Sequence, residues 1–231
     1  MSSVANNLAQ IKERMASACA RAGRDPSRVR LVGVTKMVPV GRIREGVQAG
    51  VTILGENYVQ EALHKIEALR DLKVSWHFIG RLQTNKAKVA VEPFDIINTV
   101  DREGLAKELN RRGEKIGKRI SVLLQVNVGQ EESKSGAAPE GVAGLFRYVS
   151  TLQNLTVRGL MTLPPYLHDP EEVRPYFRQL SQLLQELRNQ SANPEQLTEL
   201  SMGMSHDFEV AIEEGATLIR VGTALFGERR V

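Results

Sequence analysis

Apolar residues recur along the chain with two periods. Val4, Leu8, Ile11, Met15, Cys19 and Ala22 are spaced by three or four residues, the single face of an amphipathic helix that Gly23 stops. The run Leu31-Val32-Gly33-Val34-Thr35-Lys36 behaves differently. It is short and apolar, β-branched at three positions and followed by Pro39 and Gly41, so a buried strand is predicted over 29–35 with a lysine at its tip. The same alternation then repeats. Strands are predicted over 51–54, 74–79, 94–100, 120–128, 155–163, 196–200 and 217–221, with helical segments at about 40–49, 59–69, 102–116, 140–152 and 206–214. Asp169-Pro170-Glu171-Glu172 reads as a helix start, leading into a stripe of Val173, Phe177, Leu180, Leu184 and Leu187.

Eight strands alternating with helices predict an α/β fold, a (β/α)8 TIM barrel in one domain over residues 1–231. The extra N-terminal helix would fill the outer-ring place left open because almost no chain follows the eighth strand. A doubly wound open sheet is the alternative, but it would want a Gly-x-Gly-x-x-Gly turn after the first strand, which Gly33-Val34-Thr35-Lys36 does not supply.

Composition narrows the function classes. The chain has 231 residues, 42% hydrophobic and 25% charged, the balance of an ordinary globular protein. A net charge of +4 suits a small anionic ligand, and with no basic block it argues against nucleic acid. One cysteine permits no internal disulfide, and Cys19 lies in the apolar stripe of the first helix, so it reads as core. No apolar run approaches membrane-spanning length and no secretory leader is present, so a cytoplasmic protein without membrane contact is expected.

In a barrel the residues after each strand share one face, and that face carries the site. Here it would collect Lys36, Asn57, the stretch 77–83, Asn127, Met161, Ser201, Met202, Gly203, Arg220, Gly222 and Thr223. Lys36 has two readings: a strand-end cation that reaches water on its stem, or an amine that joins a carbonyl as a Schiff base. Asn57 reads equally as the N-cap of the following helix, with Gln60 closing a capping box. The loops Ser201-Met202-Gly203 and Gly222-Thr223 follow strands seven and eight, where barrels often hold phosphate. With a lysine on strand one, they point to a phosphorylated carbonyl ligand. His64, His168 and His206 suit surface or turn positions better than catalysis, and the histidine and cysteine spacings predict no metal site. The polar loop over 129–139 is long enough for a lid. Lys134 within it reads as a solvated charge, or less simply as a second amine for cofactor transfer.

Six motifs together resemble the pyridoxal phosphate homeostasis protein family, single-domain relatives of the fold-type III alanine racemase barrel. They are Val32-Gly33-Val34-Thr35-Lys36, Gly55-Glu56-Asn57, the block 76–86 that opens Trp76-His77-Phe78-Ile79-Gly80, Arg158-Gly159-Leu160-Met161, the block 200–207 around Ser201-Met202-Gly203, and the block 220–227 that opens Arg220-Val221-Gly222-Thr223. The resemblance implies pyridoxal 5′-phosphate held on Lys36 as a Schiff base, with Asn57 near the ring's 3-hydroxyl. It places the Ser201-Met202-Gly203 loop, Gly222 and Thr223 on the phosphate, Arg220 at the pyridine nitrogen, and Met161 and His77 in the pocket lining. A guanidinium can only donate, so that nitrogen would stay unprotonated and the ring would be a weak electron sink.

Three functions compete. The first is a monomeric carrier that stores, buffers or delivers pyridoxal phosphate, with apo forms of enzymes that use it as recipients. The second is an amino-acid racemase or related enzyme, which would want a second domain and a tyrosine base; the chain reaches Val231 soon after the eighth strand, and Tyr58, Tyr148, Tyr166 and Tyr176 match no such motif. The third is a Schiff-base aldolase, for which Lys36 lacks a clear acid–base partner. The carrier, without appreciable catalysis, is the expectation carried forward.

Overall fold

Eight parallel strands close into a barrel in sequence order, in a computed structural model that describes residues 3–131 and 133–228. The strands are β1 (Arg30–Val34), β2 (Ile53–Glu56), β3 (Ser75–Phe78), β4 (Ile96–Val100), β5 (Ile120–Val126), β6 (Leu155–Thr162), β7 (Glu199–Ser201) and β8 (Leu218–Val221). The helices are α1 (Val4–Arg21), α2 (Val40–Gln48), α3 (Val59–Ala68), α4 (Ala87–Ala90), α5 (Glu103–Lys115), α6 (Val142–Ser150), α7 (Arg174–Gln190), α8 (Phe208–Glu213) and α9 (Thr223–Phe226). The predicted TIM barrel is the observed architecture.

Alternation of side chains splits the core in two. In β5, Val122, Leu124 and Val126 join the layer between barrel and helices, whereas Leu123 faces the lumen. There it meets Val32, Ile53, Met161 and Leu218, which fill the middle of the barrel so that it is a packed core and not a pore. A chain covered on both faces of its strands needs the near-continuous apolar runs that the sequence shows.

Helix α1 stands in the outer ring, packing against α8, α9 and α2. Asn7 Nδ2 donates to the Leu225 carbonyl at 2.9 Å, and Arg14 binds Glu209 through two hydrogen bonds. Arg24 donates to the carbonyls of Ile212, Gly215 and Ala216, supplying partners for the open end of α8. Cys19 is fully buried in the α1 face, as its stripe predicts.

Among the strand boundaries that shift, two matter for the site. Gly55 and Glu56 belong to β2 instead of following it, because they pair with His77 and Phe78 of β3. Ser201 belongs to β7, paired with Met161 on one side and Leu218 on the other. The predicted seventh strand began at Gln196, but Pro194–Gln196 forms a 3-10 turn that delays it. Asp169 caps a 3-10 turn over Pro170–Val173, and the α-helix proper begins at Arg174 with Pro175 in its first turn, where proline needs no N–H partner. Helix α9 was not expected.

Candidate functional site

The C-terminal ends of β1, β2, β6, β7 and β8 bring together Lys36, Asn57, Met161, Ser201, Gly203, Arg220, Gly222 and Thr223. Lys36 sits two residues beyond the end of β1, half-buried, and its ammonium has no hydrogen bond or ion pair among the described residues.

Asn57 is likewise uncommitted. The capping-box reading fails, because α3 takes Tyr58 as its N-cap and no side chain caps the helix. The Asn57 side-chain amide makes no bond among the described residues, while its N–H donates to Glu56 Oε2 at 3.2 Å. Its backbone is held against Gly80, where any Cβ would lie 2.1 Å from the Asn57 carbonyl oxygen. Only glycine allows β3 to approach that closely.

Arg220 is the most constrained group. It points from β8 into the lumen, 3% exposed, and donates to Ser201 Oγ at 2.9 Å and to the Thr162 carbonyl at 2.8 Å. Burial lowers the guanidinium to about 10, opposed by the charge of Asp207, so it stays cationic at neutral pH. Two of its five N–H donors are used, which leaves the others for a ligand. Asp207 closes the 201–207 loop on itself, accepting the Met204 N–H at 2.5 Å, and burial raises its carboxyl above the usual range.

Gly203 carries φ +89°, and a Cβ there would lie 2.6 Å from that of Ala211, so the loop can turn only with glycine. The N–H groups of Gly203, Gly222 and Thr223 meet no acceptor among the described residues. Ser201 is fully buried, with its hydroxyl already accepting from Arg220. Met202 departs from its expected role: its side chain lies in the outer core, leaving only its backbone to face the loop. Met161 is buried in the lumen cluster beneath the mouth.

His77 also departs from its expected place. Its ring borders a cleft of about 520 Å³ at the N-terminal end of the barrel, lined among others by Arg30, Ser75, Asp95, Ser121 and Glu199. Inward-facing β3 residues lie below the mouth, and this one opens toward the opposite face. Its Nδ1 is buried without a partner, and burial lowers the imidazole to about 4. Asn98, on β4, is fully buried with both amide atoms unpartnered among the described residues, an orphaned polar group of the barrel interior that no motif marks.

The loop after β5 is tied down. Gln125 Nε2 donates to the Ser135 carbonyl at 2.8 Å and Asn127 Nδ2 to the Glu131 carbonyl at 2.8 Å. Lys134 is not a solvated charge: it donates to the Pro164 carbonyl at 2.7 Å and pairs with Glu131 at 2.8 Å.

A buried ionic cluster lies directly behind Lys36 and was missed in sequence. Lys65 of α3, Glu56 of β2 and Glu61 of α3 meet at 2.6 Å, with Lys65 and Glu56 almost wholly buried. Glu61 and Lys65 are four residues apart, the spacing of an ordinary surface pair, so nothing in the sequence marks them as interior.

Residues 6–230 match the family model described as the N-terminal domain of alanine racemase. Over 223 residues, covering 96% of this chain and 97% of the relative, the chain is 52% identical to the pyridoxal phosphate homeostasis protein of Aquifex aeolicus. The chain belongs to the pyridoxal phosphate homeostasis protein family. A solved member, PipY of Synechococcus elongatus with pyridoxal phosphate bound, is 42% identical, with a TM-score of 0.81 over 94% of this chain and all of that one. The alanine racemase of Corynebacterium glutamicum is 17% identical with a TM-score of 0.73, and this chain spans 61% of it. That likeness shows a shared barrel, whereas the family match extends over whole chains on both sides.

The donor set is compatible with the ligand for which the family is named. An unpartnered amine, a buried guanidinium with spare N–H groups, a free carboxamide and three free backbone N–H groups surround one mouth. Such a set suits an aldehyde, a ring nitrogen, a ring hydroxyl and a phosphate.

Proposed function

We propose that this protein binds pyridoxal 5′-phosphate at the C-terminal mouth of its barrel and serves to store, buffer or hand on the cofactor. The observation that carries this is the pairing of an uncommitted Lys36 with a fully buried, only partly satisfied Arg220 at the same mouth. When bound, the cofactor supplies an aldehyde with which a lysine amine condenses, releasing water. Lys36 provides that amine. Arg220 would donate to the ring nitrogen, and Asn57 and Met161 would line the ring. The N–H groups of Gly203, Gly222 and Thr223, with the Thr223 hydroxyl, take the phosphate. Ser201 reaches the phosphate only as a donor, since its oxygen already accepts from Arg220. His77 and the Met202 side chain take no part.

The same residues favour holding over turnover. Arg220 cannot give up its proton, so the ring nitrogen it meets remains an unprotonated acceptor and assists carbanion formation poorly. Two of the histidines are turned away from such a role: His77 opens to the other end, and His206 is bonded to the His168 carbonyl at 3.0 Å. We therefore read the protein as a monomeric cytoplasmic carrier whose recipients are apo-enzymes that use the cofactor. Among the described residues no helix is long and apolar enough to cross a membrane.

The test is reduction of the loaded protein with borohydride followed by peptide mapping. The cofactor is expected on Lys36. Label on Lys134, or on no lysine, would overturn the assignment.

A further inference from the structure

The cluster behind Lys36 does more than fill space. The Lys65 ammonium has three N–H bonds, and each finds an acceptor: the Thr35 carbonyl at 2.5 Å, Glu56 Oε1 at 2.6 Å and Glu61 Oε1 at 2.6 Å. Glu61 Oε1 also accepts the Met37 N–H at 2.7 Å, and Glu56 Oε1 accepts the Thr35 hydroxyl at 2.7 Å. Both backbone neighbours of Lys36 are therefore fixed to one buried ion cluster. The second oxygen of Glu56 accepts the N–H of Asn57, so the same cluster also holds the tip of β2. At the second of these neighbours Met37 adopts φ +59°, a left-handed conformation that a non-glycine residue keeps only when its surroundings impose it.

Stability alone explains this arrangement poorly. Moving a lysine and a glutamate out of water costs several kcal/mol per ion, and packed apolar residues of the same volume often do as well or better. The bonds here are all aimed at residues 35, 37 and 57, the chain on either side of the amine and the backbone of the ring-side asparagine.

We propose that Glu56, Lys65 and Glu61 are positioning residues that hold Lys36 and Asn57 in the arrangement in which the Lys36 amine meets the cofactor aldehyde. This rests on the binding site proposed above. In that capture Nζ adds to the aldehyde carbon, a carbon–nitrogen double bond replaces the carbonyl bond, and the oxygen leaves as water with no change of oxidation state. Positioning governs the covalent step, since the phosphate contacts and the donor to the ring nitrogen come from β7 and β8 on the other side of β1.

The experiment compares two ligands. Pyridoxal 5′-phosphate is captured covalently, and its rate is read from borohydride-trapped label on Lys36. Pyridoxine 5′-phosphate lacks the aldehyde, and its affinity reads the non-covalent site alone. The double substitution Lys65→Met with Glu56→Leu removes the buried charges together, and Glu61→Ala, at a partly exposed position, frees the Met37 N–H. Each is expected to slow capture by about tenfold or more, because small misplacement of a reacting group is costly, while pyridoxine 5′-phosphate affinity changes less than about threefold. Amide exchange at Met37 in the ligand-free variants is expected to rise. Equal losses for both ligands would make the cluster merely structural and overturn the proposal, as would unchanged capture. If the double variant fails to fold, Glu61→Ala alone decides. If the unsubstituted protein captures nothing on Lys36, the binding reading falls, and this inference with it.

Discussion

His77 makes a quantitative prediction about acid stability. Its imidazole is 2% exposed, its Nδ1 has no partner, and burial lowers its pKa from the usual 6.5 to about 4, with Arg30 adding to the effect and Asp95 and Glu199 opposing it. The folded state therefore binds fewer protons at this site than the unfolded state. Stability from the neutral ring is fully present above the unfolded pKa and is lost as pH falls from 6.5 toward about 4. At about 1.4 kcal/mol per pH unit, the interval is worth about 3 kcal/mol. The assay is urea unfolding of the protein and of His77→Gln, followed from about pH 8 to about pH 4. Ionisable groups that do not touch the ring act in both proteins and cancel in the difference. The unsubstituted protein is expected to lose about 3 kcal/mol more than the variant over that range. Parallel curves would refute the reasoning, because they would mean that the N-terminal cleft solvates the charged ring. Since that cleft lies opposite the mouth, His77→Gln is also expected to leave pyridoxal phosphate affinity unchanged.

The other predictions concern the mouth. Thr223→Ala should weaken pyridoxal phosphate binding by roughly 1.5–3 kcal/mol, the worth of one hydrogen bond to a charged group, yet leave unphosphorylated pyridoxal unaffected in titration calorimetry; equal losses would place the phosphate elsewhere. Gly203→Ala forces a side chain onto φ +89° and against Ala211, and should lower unfolding stability by about 1–3 kcal/mol in urea melts. With loaded protein at high concentration, solvent deuterium exchange at the α-carbon of L-alanine should stay far below rates on the order of 1 per second. Exchange that fast, abolished by Lys36→Ala, would restore the racemase reading.

The pattern of apolar runs was enough to determine the barrel. Alternating periods along the chain specify strands and helices, parallel strands covered on both sides need continuous apolar runs, and eight such units close. The same reading also put Lys36, Asn57, Arg220 and the two glycine loops at one mouth, because strand tips in a barrel share a face. Tertiary structure decided which way individual side chains point. His77 and Met202 sit in motifs that look like site residues, but one opens to the far end and the other faces the outer layer. Strand alternation has a period of two, so Met202, one residue past the lumen-facing Ser201, turns to the outer layer, whereas His77 points inward but lies too low on β3 to reach the mouth. The ion cluster was beyond the reach of sequence for a different reason. Glu56, Glu61 and Lys65 lie on a strand and the helix after it, and their burial comes from how α3 packs across the tips of β1 and β2, a contact that no local pattern of charge encodes.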